Sequence, residues 1–267
     1  MQEKDGKFAA AANNLLLAIE AGLPKEYESY VFSSAGRDLR QAGDLGKAAE
    51  WLAKAAVANP GDASIALDLA DVSLRQGNAE GALSWCKKAL NISAAHPEVY
   101  ALMGEAKGSL GKVQEGLADC ELAANTPGLT PMQKAKCEVS RARVFISGKR
   151  YNEAVAAYVR ALGPDSPLTG AAWLHKEIGG FYVWRFQESG SSDRIEEAIR
   201  SFDNACVVSG KRDPEALTML ARAHFAKACS QQSTAFSQPV ELIVQALQLD
   251  SGFVAARRLR GQRFALQ

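Results

Sequence analysis

Histidine is scarce in this chain of 267 residues, and the three that occur, His96, His175 and His224, stand far apart with no companion at ligand spacing. Imidazole-based metal binding and proton shuttling therefore have no visible foothold. The five cysteines, Cys86, Cys120, Cys137, Cys206 and Cys229, are odd in number and include no Cys-x-x-Cys pair, which excludes a zinc ribbon and a fully paired disulfide framework. They read as small buried hydrophobes of a reducing compartment, so a cytoplasmic location is expected. An excess of one charge is missing too: 31 Lys and Arg against 30 Asp and Glu leave a net charge of +1. Such a chain has no bulk field to hold nucleic acid or an anionic membrane. No apolar run approaches the length of a membrane-spanning helix, and the mixed charges of residues 1–7 do not resemble a signal peptide. The segment Gly108-Ser109-Leu110-Gly111-Lys112-Val113 lacks the spacing and the Ser/Thr of a phosphate loop, and neither Gly-x-Ser-x-Gly nor His-Glu-x-x-His occurs. The expectation is a chain that is not an enzyme and that holds no metal and no cofactor.

What is present is a period. Gly43, Gly77 and Gly111 are spaced by 34 residues, each after one apolar helical segment and before another, so each reads as the turn of a helix–turn–helix unit. With 47% hydrophobic and 23% charged residues the chain can bury a sizeable core. Residues 29–62 are the cleanest unit. Phe32, Ala35, Gly36 and Leu39 share one helix; Ala48, Leu52 and Ala55 share the next, before Pro60. Small side chains suit the places where two helices pass closest, and larger ones fill the spaces between.

A large residue, a small pair with Leu, an Ala–large–Ala set on the second helix and a closing Pro in a 34-residue period resemble the tetratricopeptide repeat. The resemblance implies an all-α fold: a right-handed superhelical solenoid of antiparallel helix pairs, about six repeats with flanking helices. Residues 1–28 read as an incomplete repeat supplying the second helix of a pair, followed by units at 29–62, 63–96, 97–130, 131–167, 168–212 and 213–251 and a capping helix at 252–264. Ser73 and Lys107 stand where the family prefers a large apolar residue. Trp51 and Trp85, at equivalent places on second helices, are expected to pack with one edge exposed. The fourth turn, Ser147 to Ala154, reads as one residue longer than the others. The fifth unit carries about seven extra residues, assigned to a loop at 188–192, with Asp193-Arg194-Ile195-Glu196 as a capping box for the helix after it. The sixth contains a longer polar loop at 230–234.

In this family the first helices line the concave surface. Carried over residue by residue, the groove candidates are Arg37, Arg40, Asp68, Asp71, Glu98, Glu105, Arg143, Lys176, Trp184 and Arg222, zoned basic, acidic and basic. The chaperone-tail clamp of Lys, Asn and Arg on successive first helices is not matched by Ser33, Arg37, Asp68, Glu98 and Leu102, which disfavours that adaptor class. Phe181-Tyr182-Val183-Trp184-Arg185-Phe186 is the densest aromatic cluster, and four aromatics spread around a helix cannot all face one core. Cover by the 188–192 loop is the favoured explanation; the alternative leaves some of them for a partner or a second copy of the chain.

The resulting expectation is a non-catalytic scaffold that binds a peptide or protein segment in the groove, without nucleic acid or membrane. One alternative is a substrate-recruiting arm of a larger enzyme or of a secretion or assembly machine. Another is a structural protein that self-associates through its terminal repeats, using the unpaired helix at 8–21.

Overall fold

The computed structural model describes residues 14, 15, 17, 22, 24–93, 97–233 and 236–264, with side chains through 261. His96 and most of the half-repeat at 1–28 lie outside the described residues, although Leu15 packs against the first core cluster. Thirteen helices are delimited among the described residues, and the chain divides into two compact units after Thr169.

The first unit contains α1 (Lys25–Gln41), α2 (Leu45–Ala58), α3 (Ala63–Arg75), α4 (Ala79–Ile92), α5 (Pro97–Ser109), α6 (Val113–Ala124), α7 (Pro131–Ser147) and α8 (Tyr151–Ala161). Each odd-numbered helix packs on the even-numbered one that follows, and the three residues between them turn the chain back on itself. The middle residue of the turn is left-handed: φ is 83° at Gly43, 77° at Gly77 and 79° at Gly111. The next amide then reaches back five residues to close the helix end, as Asp44 does to the Leu39 carbonyl at 2.9 Å and Asn78 to that of Ser73 at 2.9 Å. The fourth turn has the same three residues, not one more. Lys149, at φ 58°, holds the left-handed place, and Arg150 N–H donates to the Phe145 carbonyl at 2.8 Å. Hydrogen bonding, rather than glycine, sets the length of this turn.

Helix starts follow from side chains that accept orphan amides. Asp44 accepts from Lys47 N–H at 3.1 Å, Asp62 from Ser64 at 2.8 Å and Asn78 from Gly81 at 2.8 Å. A reciprocal capping box occurs at Thr130 and Gln133, with Pro131 opening α7. Pro97 likewise opens α5 rather than closing the helix before it.

The core repeats with the period. Ala48, Leu52 and Ala55, then Ala82, Cys86 and Ala89, are fully buried, as are Ala154 and Ala161. Gly36 is the closest approach of α1 to α2: a Cβ there would lie 2.6 Å from Leu52 Cγ. Gly104 repeats the contact against Cys120 Sγ at 2.6 Å and the Gly116 carbonyl at 2.7 Å. Trp51 and Trp85 are half-buried against core clusters, each with a lysine one turn on above its ring, Lys54 at 3.9 Å and Lys88 at 3.8 Å.

The second unit contains α9 (Ala172–Ser189), α10 (Ser192–Val208), α11 (Pro214–Ser230), α12 (Ser237–Leu249) and α13 (Val254–Phe264). Its extra residues do not form the loop expected at 188–192. They lengthen α9 and α10 to 18 and 17 residues, joined by Gly190 and Ser191 alone, with Gly190 at φ 65°. Nor is there a capping box at 193–196: α10 starts at Ser192, so Asp193 already lies inside the first turn, and no side chain caps the helix. Gly179 repeats the close approach seen at Gly36 and Gly104, a Cβ there lying 2.5 Å from a Phe202 ring carbon. The unit's fully buried large side chains are Leu174, Ile195, Leu217, Pro239 and Ile243. No helix among the described residues is long and apolar enough to cross a membrane.

Candidate functional site

The close-approach glycines give a structural register for the first helices. Gly36, Gly104 and Gly179 occupy one place on α1, α5 and α9, and the fully buried Ala70, Ala142 and Ala221 occupy it on α3, α7 and α11. The residue one step on is Arg37, Asp71, Glu105, Arg143, Gly180 and Arg222 in turn. All but one are charged.

In the first unit these charges are spent on each other. Arg37 Nε lies 2.5 Å from Asp68 Oδ2, and Arg40 Nη1 bridges Asp68 Oδ1 at 3.0 Å and Asp71 Oδ2 at 2.9 Å. Arg75 joins Asp71 from the far side at 3.0 Å. Two helices further on, Glu105 accepts from Arg143 Nη1 at 3.1 Å and from Ser140 Oγ, while Lys136 Nζ stands 3.4 Å from Glu98. The structure thus brings together Arg37 with Asp68, Arg40 with Asp71, and Glu105 with Arg143 among the anticipated site residues. The zones of single sign read from the sequence face one another across neighbouring helices and cancel. Reversing Asp68 and Asp71 would break this ladder as well as any contact with a partner.

Lys107, at the position the family fills with an apolar residue, reaches Asp119 of α6 at 2.7 Å. Asp119 is 7% exposed, and its Oδ2 has no aligned hydrogen-bond donor, so the contact is ionic. The substitution is compensated by a second polar residue on the facing helix, a pairing that sequence reading missed because the two lie 12 residues apart on different helices.

In the second unit, Lys176 is also committed. Its Nζ donates to Asp213 Oδ2 at 3.0 Å and to Glu215, tying α9 to the start of α11, where Asp213 caps the helix by accepting from Glu215 and Ala216 N–H groups at 3.0 and 3.1 Å. Burial opposes the lysine's charge, but the hydrogen bond and charge of Glu215, then those of Asp213, outweigh it and raise its pKa. Burial likewise opposes the Asp213 carboxylate, and the Lys176 ammonium and the Ala216 amide still hold its pKa below the usual range.

The aromatic cluster on α9 is sorted without a covering loop. Phe181 and Tyr182 are buried, Phe186 is half-buried, and Trp184 remains 38% exposed with its ring centroid 6.2 Å from that of Phe181. Trp173, which sequence reading passed over, is 44% exposed on the same helix. Arg222 of α11 is exposed and has no ion-pair partner among the described residues. A shallow cleft of about 690 Å³ lies between α12 and α13, walled by Val244, Leu247, Arg257 and Arg260, with Arg257 Nε turned onto the Ser251 carbonyl at 2.6 Å.

Nucleophilic chemistry finds no support in the thiols. Burial pushes Cys86, Cys120 and Cys206 up to about 12 and Cys137 up to about 11, so all four stay protonated, and Cys229 is the exposed one. Among the described residues no three His, Cys, Asp or Glu side chains are grouped to hold a metal ion.

Residues 39–106 match the family model of the tetratricopeptide repeat. Protein FlbA of Caulobacter vibrioides is 28% identical over 163 residues, 59% of this chain and 27% of FlbA. Cellulose synthase operon protein C of Xanthomonas axonopodis pv. citri is 29% identical over 189 residues, 64% of this chain and 12% of that protein. The chain therefore spans well under half the length of the curated relatives it matches. The solved structure of a thermophilic TPR protein in Thermus thermophilus superposes with a TM-score of 0.60 at 18% identity, over 74% of this chain and 99% of the other. Repeat match and shared fold agree with the helix pairs turned at Gly43, Gly77 and Gly111. Residues 39–106 thus carry the tetratricopeptide repeat, and the helix pairs share the fold of solved TPR proteins.

Proposed function

We propose that this chain is a non-catalytic scaffold that presents its first helices to a peptide or protein segment. The supporting observation is that the residue following the close-approach position is charged on five of the six first helices, Arg37, Asp71, Glu105 and Arg143 in the first unit and Arg222 in the second, with Gly180 the exception. A repeat array binds extended partners through such recurring positions because each repeat adds a small, similar contact. Chemical crosslinking to a captured partner tests the reading. Crosslinks should fall on first-helix lysines such as Lys25, Lys134, Lys136 and Lys227; crosslinks confined to Lys47, Lys54, Lys87 and Lys88 of the second helices would overturn it.

A second reading rests on the relatives. In FlbA and in cellulose synthase operon protein C the matching region is 27% and 12% of the whole. On this reading the array recruits a substrate or subunit to a larger assembly. Self-association through the helix at 8–21 would depend on residues that mostly lie outside those described.

A further inference from the structure

In the first-helix register, five of the six places carry a charge, and on α9 the place is Gly180. Around Gly180 there is open space: a Cβ there would meet no atom within 4 Å. Trp173 lies seven residues before it and Trp184 four after, so at 100° per residue all three fall within about 40° of one line along α9. The two exposed indoles stand about 16 Å apart along the axis, at 1.5 Å per residue, with Lys176 and Glu177 at the edges of the face between them and bare backbone at Gly180. On the neighbouring helix α11, Arg222 holds the place that Gly180 holds on α9, and it is the first-helix arginine of this unit without an ion pair among the described residues. Lys176 is taken by Asp213 and Glu215, Lys227 by Glu196, and Arg185 by Glu188.

We propose that the Trp173–Gly180–Trp184 face of α9 docks an extended, proline-bearing acidic peptide segment, its rings on the two indoles and a carboxylate on Arg222. The proposal rests on the scaffold reading and narrows it to one site and one ligand chemistry. The spacing of the indoles corresponds to about five residues of polyproline II chain at 3.1 Å per residue, a conformation already extended before binding. A single missing side chain admits one narrow strand close to the α9 backbone. A docked helix, about 10 Å wide, would need a longer groove. Exposed tryptophans desolvate large flat areas at little entropic cost, which makes them anchors. The unpaired Arg222 supplies the complement for negative charge.

A random dodecapeptide phage library panned on the full chain, followed by anisotropy titration of the enriched peptides, tests this. Enriched sequences should place proline beside Asp or Glu. Gly180→Arg, which restores the charged residue of the other repeats in open space, should weaken their binding at least tenfold with unchanged far-UV circular dichroism. Trp184→Ala should do the same, and Arg222→Glu should exchange the preference from acidic to basic peptides. Enriched peptides indifferent to Gly180→Arg and Arg222→Glu would overturn the site while leaving the scaffold reading intact. Helix-forming or basic winners that respond to Gly180→Arg would overturn the occupant. Failure of the library to enrich, while a partner still crosslinks to first-helix lysines, would remove the peptide chemistry but not the scaffold. Failure of both would remove both.

Discussion

The two units of this chain use the same helix-pair plan and spend their first-helix charges differently. In the first unit the first-helix charges pair across two junctions, Arg37 and Arg40 of α1 with Asp68 and Asp71 of α3, and Glu105 of α5 with Arg143 of α7. In the second unit the equivalent series is interrupted: Gly180 carries nothing, Trp173 and Trp184 flank it, and Arg222 has no ion pair among the described residues. At the register position the strict period goes with paired charge, and the departure at Gly180 goes with two exposed indoles on its helix face. Half-exposed ion pairs stabilise modestly, but they also consume donors and acceptors that a partner would otherwise meet. The more regular part of a repeat protein can thus be the less available part.

The comparison can be broken at its glycines first. Gly104→Ala would drive a Cβ to 2.7 Å from the Gly116 carbonyl, a backbone atom that cannot rotate away, and should cost about 3 kcal/mol. Gly180→Ala meets open space and should be neutral or gain up to about 1 kcal/mol, because alanine favours the helix. Urea midpoints of the two variants measure both, and equal losses would show that the two glycines do not differ as described.

Next in size is Lys176→Met. It leaves Asp213 and Glu215 half-buried without their cation, which should cost about 2 kcal/mol at neutral pH. The sign of the pH dependence follows from the shifts. Asp213 has a depressed pKa, so its contribution is present above its ordinary value of 3.8 and is lost as pH falls through the lower folded value. Lys176 has a raised pKa, so its contribution is present below 10.5 and is lost as pH rises through the higher folded value. The variant should therefore lose less stability than the parent at both extremes. A stability–pH profile parallel to the parent's would sink the assignment.

The smallest effect is expected at the fourth turn. Lys149 adopts φ 58° where three other turns use glycine, and a Cβ in that region costs about 1 kcal/mol. Lys149→Gly should raise stability by about 0.5–1 kcal/mol, visible as a small upward shift of the melting midpoint. The opposite change, Gly43→Lys, should lower it by a similar amount.

Helix pairing and turns are legible in the sequence because the physics that makes them is local: a left-handed residue every 34 positions, small residues at crossings, apolar residues at helical spacing. Lys149 hides its turn from any reading keyed on glycine, since the turn is defined by the amide of Arg150 reaching the Phe145 carbonyl. Composition assigns the extra residues of the fifth unit to a loop, since Ser and Gly crowd 189–192. Tertiary packing instead extends both helices to Ser189 and from Ser192. The ion-pair ladder is not legible at all. Register names its residues, but pairing depends on which side chains of neighbouring first helices come level, here Arg37 with Asp68 and Arg40 with Asp71. Sequence distance carries no trace of that.

The ladder also gives the repeats an order that cannot be shuffled. Were residues 29–62 duplicated in tandem, Arg37 and Arg40 of the first copy would meet Ser34 and Arg37 of the second, in place of Asp68 and Asp71. Cations would then stand against a hydroxyl and another cation. An array built this way can lengthen by copying at that junction only if the copy also changes charge, so the first helix of residues 29–62 carries an address that names its neighbour.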